Sequence, residues 1–110
     1  MSKLVSIILP TYNGEKFLRQ SIDSCLGQTY QNIELIIIND CSTDGSEDIV
    51  KSYNDKRLRY YKNEYNLKLP ASLNRGFSLA KGDYFTWTSD DNYFKDCAIE
   101  TMVKVLEQSK

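Results

Sequence analysis

The stretch NIELIIIND, residues 32–40, decides how the rest of the chain is read. Its middle, Leu35 to Ile38, is uninterrupted and apolar, and it runs directly into Asp40. A strand with one solvated face alternates apolar and polar residues, whereas one buried on both faces of a parallel sheet has no reason to. Parallel neighbours need crossover connections, so helices are expected on either side of this stretch. Upstream, KLVSIILPT (residues 3–11) reads as a first strand, stopped by Pro10. EKFLRQSIDSCLGQ then sets Phe17, Leu18, Ile22, Cys25 and Leu26 at helical spacing. Asn13 is expected to cap that helix and Gly27 to end it.

Downstream the alternation continues. STDGSEDIVKSYN reads as a polar turn and short helix, with Asp44 and Glu47 at capping-box spacing. LRYYKN is a third strand. PASLNRGFSLAKG is a helix opening at Pro70, with Leu73, Phe77 and Ala80 inward and Gly82 at its end. DYFTWT is a fourth strand, and DCAIETMVKVLEQSK a closing helix with Ile99, Met102, Val103 and Leu106 inward and Asp96 as its cap. Such a β-α series predicts an α/β, Rossmann-like, doubly wound domain: a mainly parallel sheet, right-handed crossovers, helices on both faces.

Composition narrows the function. A length of 110 residues suits one domain with a real core. A net charge of -1 with no basic stripe argues against a nucleic-acid partner. No apolar run approaches the length of a bilayer span, and the N-terminus lacks a signal-peptide pattern. Cys25, Cys41 and Cys97 are too scattered for a metal motif or a disulfide framework, which suits a reducing cytoplasm. With no histidine, acid–base work falls to carboxylates, Lys, Tyr or Cys. Neither G-x-G-x-x-G nor a Walker loop is present, which disfavours a dinucleotide enzyme or a P-loop NTPase.

Ligands of open α/β sheets bind outside the carboxyl ends of the strands. Three polar clusters fall there: PTYNG, NDCSTDG and TSDDN. They would bring Asp40, Asp90 and Asp91 to one edge. Each has a bland reading as a turn, an Asx-turn or a helix-end acid. Yet two carboxylates about 4 Å apart repel by roughly 4 kcal/mol at an effective dielectric near 20. A third arriving from the second strand would add to that. A hard divalent ion relieves the repulsion, and Mg²⁺ or Mn²⁺ on one or two carboxylates fills its shell with waters and substrate phosphates. Trp87 is expected in the core rather than as a sugar platform, and Cys41 as a small loop residue rather than a nucleophile.

VSIILPTYNGEKFLRQSIDSCLGQTYQNIELIIINDCSTDGS and NLKLPASLNRGFSLAKGDYFTWTSDDN together resemble the inverting family 2 glycosyltransferases of GT-A fold, in order and spacing, over most of the chain. The resemblance implies that residues 1–110 are the nucleotide-sugar-binding half of such a domain, using a nucleotide-sugar donor, UDP-sugar first and another nucleotide sugar as the alternative, with Mn²⁺ or Mg²⁺. Thr11 and Tyr12 would lie against the base, and Asp40 would accept its ring N–H. Asp90 and Asp91 match the DXD-type motif, with Asp91 the direct metal ligand and Asp90 touching ribose, metal or metal-bound water. Asn74 and Arg75 fall in the segment near the diphosphate or sugar. The chain departs from the family pattern at Asn39, Cys41, Lys68, Leu73 and Thr88; glycine is frequent at 41 and 68.

The family's general base lies well past the metal motif, so the resemblance places the base and the site for the hydroxyl acceptor beyond residue 110. A catalytically silent nucleotide-binding module stays open as an alternative. The family also implies cytoplasmic residence, with peripheral membrane association of the full-length protein in polysaccharide synthesis. An exposed sheet edge would make this chain self-associate.

Overall fold

A computed structural model describes residues 3–108. The elements are β1 (Val5–Thr11), α1 (Glu15–Leu26), β2 (Ile33–Asn39), α2 (Ser46–Lys51), β3 (Leu58–Lys62), α3 (Lys68–Leu79), β4 (Tyr84–Trp87) and α4 (Ala98–Gln108). The four strands form one parallel sheet in the order β3-β2-β1-β4. The chain moves outward from β1 to β3, then α3 carries it back across the sheet to β4 on the far side of β1. Right-handed crossovers therefore put α1 and α2 on one face and α3 on the other.

Side-chain alternation along β1 and β2 builds two cores. Val5, Ile7, Leu9, Ile33, Leu35 and Ile37 meet Leu18, Ile22 and Cys25 of α1, Val50 of α2, and Ile99 and Val103 of α4. Ile8, Ile36 and Ile38 on the opposite face meet Leu73 and Phe77 of α3. The apolar run that opened the reading is thus buried on both faces. α3 lies close to the sheet at Gly76, where a β-carbon would meet the Ile8 side chain. Pro10 lies inside β1 rather than ending it. Ile8 accepts the Thr88 amide, so even-numbered residues of β1 bond toward β4. Pairing with β4 ends at Ile8–Trp87, and the missing N–H of Pro10 falls just past it.

The helix ends depart from the sequence-based expectation. Asn13 does not cap α1: it sits at φ 51° and its Oδ1 accepts from Thr43 N at 2.7 Å. The amides entering α1 are met across the fold instead, Asn13 by Ser42, Gly14 by Ser46 and Glu15 by Asp44, while Glu15 returns a bond to Gly45 N. Glu47 forms no capping box; it takes the Tyr60 hydroxyl at 2.9 Å. For α4, Gln28 Oε1 rather than Asp96 meets the Ile99 amide at 2.9 Å. α3 begins two residues before Pro70. Leu106 stands exposed rather than inward. No described helix is long and apolar enough to cross a membrane.

Candidate functional site

The winding direction reverses between β1 and β4, and a crevice opens outside the carboxyl ends of strands at such a switch point. A cleft of about 260 Å³ lies there, lined by Pro10, Thr11 and Tyr12 after β1, Asp40 after β2, Leu69 and Ser72 of α3, and Trp87, Ser89 and Asp90 from β4. Four of the sequence-predicted residues, Thr11, Tyr12, Asp40 and Asp90, therefore meet in one place.

Asp90 is held from the β1 side. Its Oδ2 accepts the Thr11 hydroxyl at 2.7 Å and the Tyr12 amide at 3.1 Å. Thr11 is buried, so its hydroxyl is committed to this carboxylate, and Tyr12 projects with 52% of its surface exposed at the cleft mouth. Among the described residues no protein donor reaches Oδ1 of Asp90. The neighbouring Asp91 is exposed, and its Oδ1 accepts the Ser89 hydroxyl at 2.8 Å.

Beneath this loop runs a polar row on α1 that its apolar stripe had concealed. The Ser21 hydroxyl donates to the carbonyls of Asn92 and, at 3.3 Å, Ser89. Ser24 Oγ accepts the Phe94 amide, and Gln28 donates to the Lys95 carbonyl. Ser21 and Ser24 share a face of α1 and Gln28 follows just past its Gly27 end, so α1 and the turn that closes it hold the acidic loop from 89 to 95.

Asp40 behaves differently from the other two acids. Its Oδ1 accepts from Asn63 Nδ2 at 2.9 Å and Leu67 N at 2.7 Å, and its Oδ2 from Lys68 N at 2.9 Å. Burial pushes its pKa up, but these donors, with the Lys68 charge, outweigh burial and hold it below the ordinary carboxylate value. Asp40 thus ties β2 to the start of α3 and stays ionised. Its Oδ2 still has a lone pair for a ligand donor.

Asp40 and Asp90 share the cleft, as the reading of one sheet rim expects, while among the described residues no group of three or more His, Cys, Asp or Glu could hold a metal. What is present is a carboxylate pair, Asp90 and Asp91, each with one oxygen that accepts no hydrogen bond from the described residues. That set does not fit an all-protein cage. It fits Mg²⁺ or Mn²⁺, which take one or two carboxylates and leave other positions to water and phosphate.

Besides Asp91, which follows the lining residue Asp90, two predicted residues lie outside the cleft. Asn74 is exposed on α3. Arg75 donates to the Lys62 carbonyl at 3.1 Å and to Asn63 Oδ1 at 2.5 Å. Conversely, Trp87 is no core residue: β4 is an edge strand, and the ring lines the cleft with 42% of its surface exposed. Its exposure follows from strand order, which no local pattern carries. Leu69 and Ser72 also escaped the sequence reading; an apolar residue and a small one on a helix give no signal of their own.

A parallel sheet with an acidic pair at its switch point is the nucleotide-binding arrangement of GT-A glycosyltransferases. The chain belongs to glycosyl transferase family 2, whose profile matches residues 6–110. It is 45% identical over 107 residues to an uncharacterized glycosyltransferase of Rickettsia typhi, RT0329, covering 97% of this chain and 33% of that one. In three dimensions it resembles S. aureus TarS residues 1–349 in complex with UDP-GlcNAc, with a TM-score of 0.89 and 27% identity over 94% of this chain and 31% of that one. It also shares its fold with the mannosyltransferase PcManGT of Pyrobaculum calidifontis, solved with GDP-Man and Mn²⁺, at a TM-score of 0.83 and 22% identity over 97% of this chain and 32% of that one. The chain spans about a third of the length of each of these proteins.

Proposed function

We propose that this chain is the donor-binding part of an inverting glycosyltransferase, which transfers a sugar from a UDP-sugar to a hydroxyl acceptor. The observation that carries the reading is the meeting of Tyr12, Asp40 and Asp90 in one cleft at the switch point. Tyr12, exposed at the mouth, offers its ring to the base. The ionised Asp40 offers an acceptor to a ring N–H, as uracil presents. Asp90, braced by Thr11 and Tyr12, and Asp91 beside it would hold Mn²⁺ or Mg²⁺. The ion's contribution is to stabilise negative charge on the departing diphosphate. The general base and the acceptor site are expected on a segment outside these residues, and cytoplasmic residence with peripheral membrane association belongs to the same proposal. TarS, 27% identical and solved with UDP-GlcNAc, supports uridine as the nucleoside.

A thermal-shift titration with UDP, GDP and ADP, with and without Mn²⁺, tests the reading. UDP with Mn²⁺ should raise Tm by ligand linkage, and ADP should not. A folded protein whose Tm no nucleotide moves would rule the donor site out. Slow hydrolysis of a UDP-sugar would separate a transferase part from a silent binding module.

A further inference from the structure

Arg75 is outside the cleft, yet one buried amide connects it to two residues that line it. Asn63, 1% exposed, directly follows β3. Its Nδ2 donates to Asp40 Oδ1 at 2.9 Å and to Ser72 Oγ at 3.1 Å, while its Oδ1 accepts Arg75 Nη1 at 2.5 Å. The same Nη1 donates to the Lys62 carbonyl, and the guanidinium lies 5.7 Å over the Tyr61 ring. Arg75 is therefore anchored at the end of β3.

A side-chain amide can be built either way round, and its neighbours decide which is right. Turned over, Asn63 would set its oxygen against the Asp40 carboxylate and its NH₂ against a guanidinium. Both contacts would be repulsive. Arg75 and Asp40 thus fix one polarity for the amide, with two consequences at the cleft. Asp40 Oδ1 is filled by Asn63 and the Leu67 amide, so the free lone pair is on Oδ2. Ser72 Oγ has a lone pair occupied by Asn63, and among the described residues no acceptor takes its proton. Asp40, with an acceptor, and Ser72, with a donor, are thus joined through one amide nitrogen, and both residues line the cleft.

We propose that Arg75 is a positioning residue for base recognition: through Asn63 it fixes an Asp40 acceptor and a Ser72 donor that together read a nucleobase presenting a ring N–H beside a carbonyl. Uracil and guanine present that edge; cytosine and adenine do not. The inference rests on the donor-site reading and assigns Arg75 to the base rather than to the diphosphate.

The test is an NMR titration of the wild type, Arg75→Lys, Arg75→Ala and Asn63→Asp with UDP, uridine and CDP in the presence of Mg²⁺. Arg75→Ala should weaken UDP and uridine by the same factor, roughly tenfold for a lost charge-assisted bond, and Asn63→Asp should also erase the preference for UDP over CDP. Arg75→Lys, which keeps a donor, should retain most of the affinity. The Asn63 side-chain NH₂ signals should shift in Arg75→Ala and stay near wild type in Arg75→Lys, a readout independent of ligand. A loss for UDP with uridine unaffected would make Arg75 a phosphate contact and overturn the proposal, as would an unchanged UDP-to-CDP ratio in Asn63→Asp. A folded wild type that binds no nucleotide would instead defeat the donor-site reading itself.

Discussion

Gly14 and Asp90 are in such close contact that a β-carbon on Gly14 would stand 2.6 Å from Asp90 Cγ. The first residue before α1 and the acid after β4 are thus shaped to each other. Gly14→Ala should push the Asp90 carboxylate away from Thr11 and Tyr12, weakening metal-dependent UDP binding about tenfold while lowering Tm by only a few degrees. Calorimetry with and without Mn²⁺ separates the two effects. Unchanged affinity in Gly14→Ala would show that the position of Asp90 does not matter to the ligand.

Trp87 is the only tryptophan of the chain, and it lines the cleft. Its fluorescence should therefore report occupancy. Emission should change saturably as UDP is added with Mn²⁺, and not with uridine-free pyrophosphate, which lacks the base. Trp87→Phe would remove the signal and keep most of the binding.

Cys41 and Lys68, two positions where the family often has glycine, both have positive φ, 64° and 72°. The left-handed region costs an L side chain roughly 1–2 kcal/mol, part of which glycine returns through a freer unfolded chain. Cys41→Gly should stabilise the fold by about 0.5–1 kcal/mol, read as a higher urea midpoint. Its thiol contributes only a long contact, 3.7 Å, to the Glu64 carbonyl. Lys68→Gly is a less direct test, because the Lys68 charge also acts on Asp40.

At the sheet edge opposite the cleft, Glu34 is buried against Arg59 at 2.7 Å and accepts the Ser6 hydroxyl at 2.5 Å and the Lys81 amide at 2.6 Å. Burial pushes its pKa up, but these donors and the Arg59 charge outweigh burial and leave it below the ordinary value. A carboxylate with a depressed folded pKa contributes stability above its unfolded pKa, about 4.3 for Glu, and loses it as pH falls through the folded value. Glu34→Gln should therefore cost about 3 kcal/mol at pH 7, the low end for a broken buried pair, since the Arg59 side chain stays 24% exposed. Its denaturation midpoint should fall less steeply than the wild type's below pH 5, and parallel slopes would contradict this.

Phe85 and Trp87 leave an apolar stripe on the edge strand β4, with Phe85 51% exposed although its ring meets Phe77. Self-association through this edge should appear in sedimentation as a concentration-dependent mass, and Phe85→Lys should suppress it. A monomer at all concentrations would show that the edge is tolerated.

The alternation of strand and helix was legible because its periods, two and 3.6 residues, are written within a dozen neighbouring positions. That alternation alone brought PTYNG, NDCSTDG and TSDDN to one edge, since all strands of a parallel sheet end on the same side. Asp40 and Asp90 were brought to that edge for this reason, whereas Thr11 and Tyr12 were singled out by the resemblance to family 2 glycosyltransferases. Only the tertiary structure decided which side chains cap which helix, because Asp44 meets Glu15 and Gln28 meets Ile99 across 29 and 71 residues. It also decided that Trp87 lines the cleft, that Arg75 answers to Asn63, and that Asp40 is bound to α3 rather than to its fellow acids. Those outcomes depend on strand order and on which donor lies nearest in space, and a hydrogen bond is satisfied by proximity regardless of how far along the chain its partner lies.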